Sequence, residues 1–143
     1  MKLRLTKQFE FEMAHALPHY DGKCCNIHGH SYKLEVTVEY GKDIAANDAT
    51  ETPDDGLVLD FHKLKQIVEE NIVKPFDHSL VLPKDSPYTV NGPTKLIILP
   101  FQPTTENLLL HFHKLIHNRF PEQVRLYSIR LAETASSYAE LII

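Results

Sequence analysis

Two cysteines and two histidines lie close together in the segment "KCCNIHGHSYKLEV", residues 23 to 36. His28 and His30 are separated by one residue at the start of a predicted β-strand, and alternate residues of a strand project to the same face. Two imidazoles on one face can hold one metal ion. In a chain with nine histidines such a pair also arises by chance, so the neighbouring residues must decide.

A third ligand has to come from another segment, and His15 is the best placed. It ends the first predicted strand, and we expect the second strand to pair antiparallel to the first. Three histidines would leave zinc one open coordination position, which is typical of catalytic zinc sites. His113 and His117 are spaced i, i+4 but lack the glutamate of a metalloprotease helix, so we interpret them as part of a solvated helix face.

The adjacent thiols of Cys24 and Cys25 have several interpretations. A thiol near a divalent cation loses its proton more readily, so it could act as a base or nucleophile. It could equally be a fourth metal ligand or an inert buried thiol, and the spacing does not choose between Cys24 and Cys25. Because neighbouring cysteines make a poor structural disulfide, we expect free thiols and a reducing compartment.

Each of three further motifs with acidic or basic residues could have a chemical role or only a structural one. Asp77 precedes His78 and could orient its imidazole, but this pair acts as a proton relay only if the fold brings it near Cys24. Glu133 in "LAET" could be a strand-end surface charge. Glu106 could merely favour the positive end of a helix.

The elements that must position these residues are predicted from hydrophobic periodicity. Alternating apolar residues predict strands over 3–12, about 31–40, 123–134 and 137–143. Between them, the segment 41–56 is rich in Asp, Asn, Thr and Gly and is predicted to be a loop.

Two helices are predicted between the second and third of these strands. Asp60 is the expected N-cap of the first, which Pro75 is expected to stop, and the second begins near Thr104. The intervening segment, 79–103, carries five prolines and is predicted to be irregular apart from the apolar run "LIIL". The order β-β-α-α-β-β predicts an α+β fold, a four-stranded antiparallel sheet with two helices on one face, in a single domain over residues 1–143.

Composition and charge exclude several functional classes. The 143 residues are 43% hydrophobic and 24% charged, as in an ordinary globular protein. A formal charge of −4 without clustered Lys and Arg argues against a nucleic-acid-binding protein. We find no signal peptide and no apolar run of membrane-spanning length, so we expect a cytoplasmic protein with no membrane partner.

Six segments together resemble one known family. They are "FEMAH", "CCNIHGHSYKLEV", "GLVLDFHKLK", "FDHSL", "PTTENL" and "LAET", and they follow in the order and approximate spacing of the 6-pyruvoyl-tetrahydropterin synthase superfamily. The resemblance covers nearly the whole chain. The Cys-x-x-x-His-Gly-His spacing is most similar to the bacterial branch, the 6-carboxy-5,6,7,8-tetrahydropterin synthases of queuosine biosynthesis.

This resemblance implies a fold, an assembly and a reaction. The fold would be the tunnelling fold, in which three four-stranded sheets join into a barrel and two barrels stack into a homohexamer, a dimer of trimers with active sites between subunits. The enzyme would be a zinc-dependent carbon-carbon lyase. It would convert 7,8-dihydroneopterin triphosphate to 6-carboxytetrahydropterin, acetaldehyde and triphosphate.

The same resemblance assigns roles to residues of this sequence. The zinc ligands would be His15, His28 and His30. The catalytic residues would be Cys24 as the proton-abstracting group, Asp77 and His78 as the relay, and Glu133. The pterin ring would be bound by Glu133 together with Thr104, Thr105 and Glu106.

Two alternatives remain open at this point. The first is 6-pyruvoyl-tetrahydropterin synthase itself, or a related pterin side-chain aldolase. The second is a protein of the same fold that binds zinc or a pterin without turning it over, although intact Cys24, Asp77 and His78 argue against it.

Overall fold

A computed structural model describes residues 1–44 and 56–143 of the chain. Within these residues, six strands form one mixed sheet in the spatial order β4-β3-β1-β2-β5-β6. In chain order the strands are β1 (Arg4–His15), β2 (His28–Tyr40), β3 (Ser79–Pro83), β4 (Leu96–Leu99), β5 (Val124–Thr134) and β6 (Ser137–Ile142). The predicted loop over 41–56 falls mostly outside the described residues.

The α+β class is confirmed, whereas the predicted number of strands is wrong. The four long predicted strands are present as β1, β2, β5 and β6, and they pair antiparallel in the order β1-β2-β5-β6. The two additional strands, β3 and β4, lie in the segment predicted to be irregular. The sequence did not predict them because prolines argue against a strand, and Pro83 ends β3 while Pro100 directly follows β4.

The two additional strands run parallel to the end of β1. Three residues of β3 pair with Met13, Ala14 and His15, and β4 pairs parallel with β3. The chain that enters β3 is therefore held directly beside the last residues of β1. This pairing brings the Asp77–His78 motif, which precedes β3, to the same end of the sheet as His15.

The two predicted helices are present, and the predicted N-cap of the first, Asp60, is confirmed. The first helical stretch comprises α1 (Phe61–Val68), a π-helical segment (Glu69–Val73) and α2 (Lys74–Phe76), and the second is α3 (Thr105–Ile116). The side chain of Asp60 accepts a hydrogen bond from the backbone N–H of His62 at 2.8 Å. Thr104 caps α3 in the same way.

Pro75 does not stop the first helical stretch, which continues to Phe76. A proline lacks the N–H that would donate a hydrogen bond in an α-helix. The change to π-helical hydrogen bonding just before Pro75 accommodates this missing donor. Within that segment the N–H of Lys74 donates to the carbonyl of Glu69, five residues back. The helix therefore ends immediately before Asp77, and its last turn determines where that carboxylate lies.

The hydrophobic core lies between one face of the sheet and the helices. In β2, the side chains on this face are all fully buried, as the alternating pattern predicts: Tyr32, Leu34, Val36 and Val38. Phe112 of α3 packs edge-on against Phe11 of β1 and Phe76 of α2, with ring centroids 6.3 and 5.0 Å apart. Burial of these large apolar groups is the main force that fixes the sheet against the helices.

The opposite face of the sheet carries polar and charged side chains. Gln8 donates to the carboxylate of Glu35 at 2.7 Å, and the buried carboxylate of Glu39 binds both Arg4 and Arg125. Such a face can contact water or another polar surface, whereas an apolar sheet face would have to be buried against another element. Among the described helices, none is both long and apolar enough to cross a membrane.

Candidate active site

The antiparallel pairing of β1 and β2 places His15 directly opposite His28. Their Nε2 atoms are 3.1 Å apart. The Nδ1–H of His15 donates to the carbonyl of Pro103, and the Nδ1–H of His28 donates to the carbonyl of Asn26, each at 2.8 Å. A carbonyl can only accept, so in each neutral ring the proton is on Nδ1 and the Nε2 lone pair is free.

His30 completes a cluster of three imidazoles. One ring nitrogen from each of His15, His28 and His30 lies within 4.8 Å of the other two. The Nε2 atom of His30 is buried and has no hydrogen-bond partner among the described residues. Buried polar atoms are nearly always partnered, so this nitrogen is available for a ligand.

These three residues fit a bound metal ion of the zinc type. Two nitrogens, each about 2.0–2.1 Å from a tetrahedral zinc, are about 3.3 Å apart, close to the 3.1 Å between the two Nε2 atoms. Two free lone pairs at that distance repel each other unless a cation lies between them. The carbonyls that bind the Nδ1–H groups of His15 and His28 also orient both rings, as is usual for metal-binding histidines.

Burial keeps two of these rings neutral. The pKa of His15 lies below its ordinary value, chiefly because the ring is removed from water, and the pKa of His30 is lowered for the same reason. The nearby carboxylate of Glu133 opposes both shifts without reversing them. Neutral imidazole is the form that binds a metal, so the site is prepared for one near neutral pH.

Cys24 lies in a short 3-10 turn, Lys23–Cys25, in the loop between β1 and β2. Both cysteines are free and half-buried. The carbonyl of Cys24 accepts a hydrogen bond from the N–H of Leu17 at 2.9 Å, which ties the turn to the chain just beyond His15. Cys24 also adds to the electrostatic effects that raise the pKa of Tyr32, a residue in contact with the histidine cluster.

Tyr32 lies between the histidine cluster and Glu133. Its hydroxyl is 3.4 Å from Nδ1 of His15 and 3.4 Å from Oε1 of Glu133. Burial, followed by the charge of Glu133, raises the pKa of Tyr32 far above its ordinary value, so the hydroxyl keeps its proton. It can therefore donate a hydrogen bond to the carboxylate of Glu133.

A cavity of about 200 Å³ brings together three of the four predicted pterin-binding residues. Thr105, Glu106 and Glu133 line it, along with Tyr138 of β6. Glu133 is thus not an isolated strand-end charge: its carboxylate faces a cavity on one side and Tyr32 on the other. Thr104 does not line this cavity, and its hydroxyl instead accepts the N–H of Asn107 at 3.2 Å as the cap of α3.

Asp77 and His78 form a hydrogen-bonded pair at the start of β3. Asp77 Oδ2 is 2.9 Å from Nδ1 of His78, and Asp77 Oδ1 accepts the backbone N–H of Glu12 at 2.9 Å. The bond from Glu12, followed by that from His78, holds the pKa of the Asp77 carboxyl below its ordinary value. His78 adopts the left-handed backbone conformation, with φ at 57°. Few non-glycine residues adopt this conformation, so the contacts around the turn must stabilise it.

The pair lies near the histidine cluster without contacting it. His78 and His30 both line a cavity of about 450 Å³, which Glu12 and Ser31 also line. Across residues 1–44 and 56–143, no hydrogen bond or ion pair joins Asp77 or His78 to Cys24 or to the three histidines. The imidazole of His78 is 76% exposed and is therefore directed at solvent in a single chain.

Comparison with protein-family models identifies the family of this chain. The model of the family described as "6-pyruvoyl tetrahydropterin synthase" matches residues 4–142. The chain belongs to this family. It is accordingly an enzyme of the lyase class, and the resemblance inferred from the six sequence segments is confirmed.

Individual relatives agree with this assignment. The chain is 36% identical to the 6-carboxy-5,6,7,8-tetrahydropterin synthase of Haemophilus influenzae, over 96% of each protein. It is 31% identical to the enzyme of the same name from Rickettsia bellii, over 97% of this chain and 99% of that one. The 6-pyruvoyl tetrahydropterin synthase of Plasmodium falciparum has the same fold, with a TM-score of 0.72 at 19% identity over 99% of both chains.

Several groups that shape this candidate site were not predicted from the sequence. The carbonyls of Pro103 and Asn26 and the hydroxyl of Tyr32 orient or contact the histidines. Tyr32 continues the alternation of His28 and His30 along β2, so that pattern could have identified it. Pro103 is 88 residues from His15 in the chain, and no local pattern indicates the contact.

Proposed function

We propose that the protein is a zinc-dependent 6-carboxy-5,6,7,8-tetrahydropterin synthase. It would convert 7,8-dihydroneopterin triphosphate to 6-carboxytetrahydropterin, acetaldehyde and triphosphate, as a cytoplasmic enzyme of queuosine biosynthesis, with residues 1–143 acting as one domain. The observation that carries this proposal is the cluster of His15, His28 and His30, with three ring nitrogens within 4.8 Å and Cys24 in the adjoining loop. The names of the bacterial relatives support it.

The cavity at Glu133 is suited to the pterin ring. A pterin presents its N3–H and 2-amino group as two parallel donors, and one carboxylate accepts both in a bidentate pair. Glu133 supplies this carboxylate, and Thr105 and Glu106 line the same cavity. Tyr32, which keeps its proton, fixes Glu133 from the opposite side.

The side chain of the substrate would then extend from this cavity toward the three histidines. When bound there, zinc supplies Lewis acidity to the side-chain oxygens, which makes protons on the adjacent carbons more acidic. Cys24 as a thiolate takes a proton from the side chain. His78, oriented by Asp77, transfers protons on the opposite side of the substrate.

In this proposal, Asp77 and His78 act on the site of a neighbouring copy. The exposed imidazole of His78 and its lack of contact with Cys24 support this arrangement. So do the outer edges of β4 and β6, which no other strand among residues 1–44 and 56–143 pairs with, since an open sheet edge is readily covered by another strand. A homohexamer built as a dimer of trimers would satisfy both features.

Product analysis tests the function. The zinc-loaded protein is incubated with 7,8-dihydroneopterin triphosphate, and the products are separated by chromatography. The proposal predicts a 6-carboxypterin and acetaldehyde. Triphosphate with a pyruvoyl product would instead identify a 6-pyruvoyl-tetrahydropterin synthase, and unchanged substrate would indicate a binding protein.

A further inference from the structure

The connection between β3 and β4, residues 84–95, passes beside the turn that carries Cys24. Its first part is held by local hydrogen bonds. The N–H of Ser86 donates to the carbonyl of Pro83 at 3.0 Å, and the N–H of Tyr88 donates to Oγ of Ser86 at 3.2 Å. Pro87, immediately before Tyr88, further restricts the backbone. Tyr88 is therefore presented by an ordered segment.

Two side chains of this connection reach across to the loop between β1 and β2. The hydroxyl of Tyr88 donates to the carbonyl of Cys25 at 2.6 Å in a half-buried contact. Asp85 Oδ2 is 2.8 Å from Nε2 of His19. The pair between His19 and Asp85 is exposed and contributes little by itself, whereas the Tyr88 bond is short and partly shielded from water.

The carbonyl that Tyr88 binds lies between the thiol and the metal-ligand histidines. The next carbonyl along the chain, that of Asn26, accepts the Nδ1–H of His28. The preceding carbonyl, that of Cys24, is bound by the N–H of Leu17. Tyr88 thus supplies the only side-chain hydroxyl, within the described part of the chain, that fixes the peptide joining the two halves of the site.

We propose that Tyr88 is a positioning residue that fixes the Cys24 thiol relative to the three-histidine site. This inference rests on the proposed function, because it concerns the group that takes the substrate proton. Tyr88 itself need not touch the substrate. It acts by keeping the turn of Lys23–Cys25 in one arrangement, and a displacement of about 1 Å at a reacting group can reduce a rate by up to about a hundredfold.

The substitution Tyr88→Phe removes only the hydroxyl and tests this role. We expect kcat to fall about tenfold while KM changes less than about twofold and zinc content stays at the wild-type level. Tyr20→Phe is the matched control. Tyr20 is an exposed tyrosine in the loop between β1 and β2, which also carries Cys24, and its hydroxyl makes no hydrogen bond with the described residues, so we expect wild-type kinetics.

Two kinetic outcomes would overturn the inference. One is an unchanged kcat in Tyr88→Phe, or a loss no larger than that of Tyr20→Phe. The other is a fall in zinc content parallel to the fall in kcat, which would mean that Tyr88 supports the metal ligands and not the thiol.

A second measurement does not depend on turnover. Iodoacetamide labelling followed by tandem mass spectrometry reports the modification of Cys24 and Cys25 separately. Without the Tyr88 bond the turn samples more conformations, so we expect half-buried Cys25 to be labelled at least about threefold faster in Tyr88→Phe than in the wild type. Equal labelling would contradict the positioning role even if the wild-type enzyme proved inactive on the proposed substrate.

Discussion

At the scale of single residues, the candidate site keeps the three histidines apart from the thiol of Cys24. His15 and His28 each donate from Nδ1 to a backbone carbonyl, which leaves Nε2 free. The Nε2 atom of His30 is buried and has no partner among the described residues. Cys24 lies in a separate turn with its own hydrogen bonds. A thiol that is not needed as a ligand leaves one coordination position open for the substrate.

This separation predicts different effects for the two cysteines. Cys24→Ala should reduce kcat at least about a thousandfold and leave the zinc content unchanged, because in the proposed mechanism it removes the proton-abstracting group but no ligand. Steady-state kinetics and metal analysis by atomic emission measure the two properties on the same sample. Cys25→Ala, the neighbouring control, should reduce kcat less than about threefold. Loss of zinc from Cys24→Ala would show that this thiol is a ligand.

The residue types alone indicated the histidine cluster well but not the surroundings of the other candidate residues. The His-x-His spacing and the end of the first strand identified His28, His30 and His15, because strand alternation and antiparallel pairing are local rules. Glu133 had no such signal, since a glutamate at a strand end is usually a surface charge. Its contact with Tyr32 joins residues 101 positions apart and requires the folded chain.

At the scale of elements, the strands that could be predicted are those with a long alternating pattern. In β2 the sequence "YKLEVTV" alternates strictly, and its apolar members are buried. β3 and β4 are five and four residues long, carry or border prolines, and pair parallel with partners distant in sequence. Short parallel strands have no alternation to read, which is why the segment 79–103 was predicted to be irregular.

The junction between the first helical stretch and β3 determines how the Asp77–His78 pair is presented. The ammonium group of Lys95 donates to the carbonyls of Lys74 and Asp77, at 2.6 and 2.7 Å. A cation at the last carbonyls of a helix stabilises the helix end. Here the ammonium group also stabilises the turn in which His78 has the left-handed backbone conformation. The connection between β3 and β4 thus helps to hold the Asp77–His78 pair as well as the turn Lys23–Cys25.

Lys95→Met should therefore weaken the relay while leaving the metal in place. We expect kcat to fall about three- to tenfold, with zinc content and KM near wild-type values, because the Asp77 carbonyl and the helix end at Lys74 lose the ammonium group that binds both. Lys63→Met, on the exposed face of α1, is the control and should behave as the wild type. If both variants have wild-type kcat, the turn does not depend on Lys95.

At the scale of the whole molecule, the described residues of one chain leave two parts of the proposed site without a direct bond between them. The histidine cluster and Glu133 are connected through Tyr32, whereas His78 is exposed and has no bond to them. Within the described part of the chain, a polar sheet face and the outer edges of β4 and β6 have no strand or helix over them and could contact other copies. An assembly in which each site combines residues of two chains would unite these parts.

Mixing inactive variants tests such shared sites. Cys24→Ala and His78→Ala are co-expressed with different affinity tags, and the mixed assembly is purified on both. A shared site needs Cys24 from one chain and His78 from another, so random mixing should restore about a quarter of the wild-type activity. If each chain carried a complete site, the mixed assembly would stay inactive, because no single chain would have both residues.

The most direct test of the proposed function is the release of acetaldehyde from 7,8-dihydroneopterin triphosphate, measured together with triphosphate. We predict one acetaldehyde per triphosphate from the zinc-loaded protein, no release after chelation, and recovery when zinc is restored. His28→Ala, which lacks one ligand, should release neither product. Triphosphate released without acetaldehyde, or a release that persists after zinc is removed, would contradict a zinc-dependent cleavage of the pterin side chain.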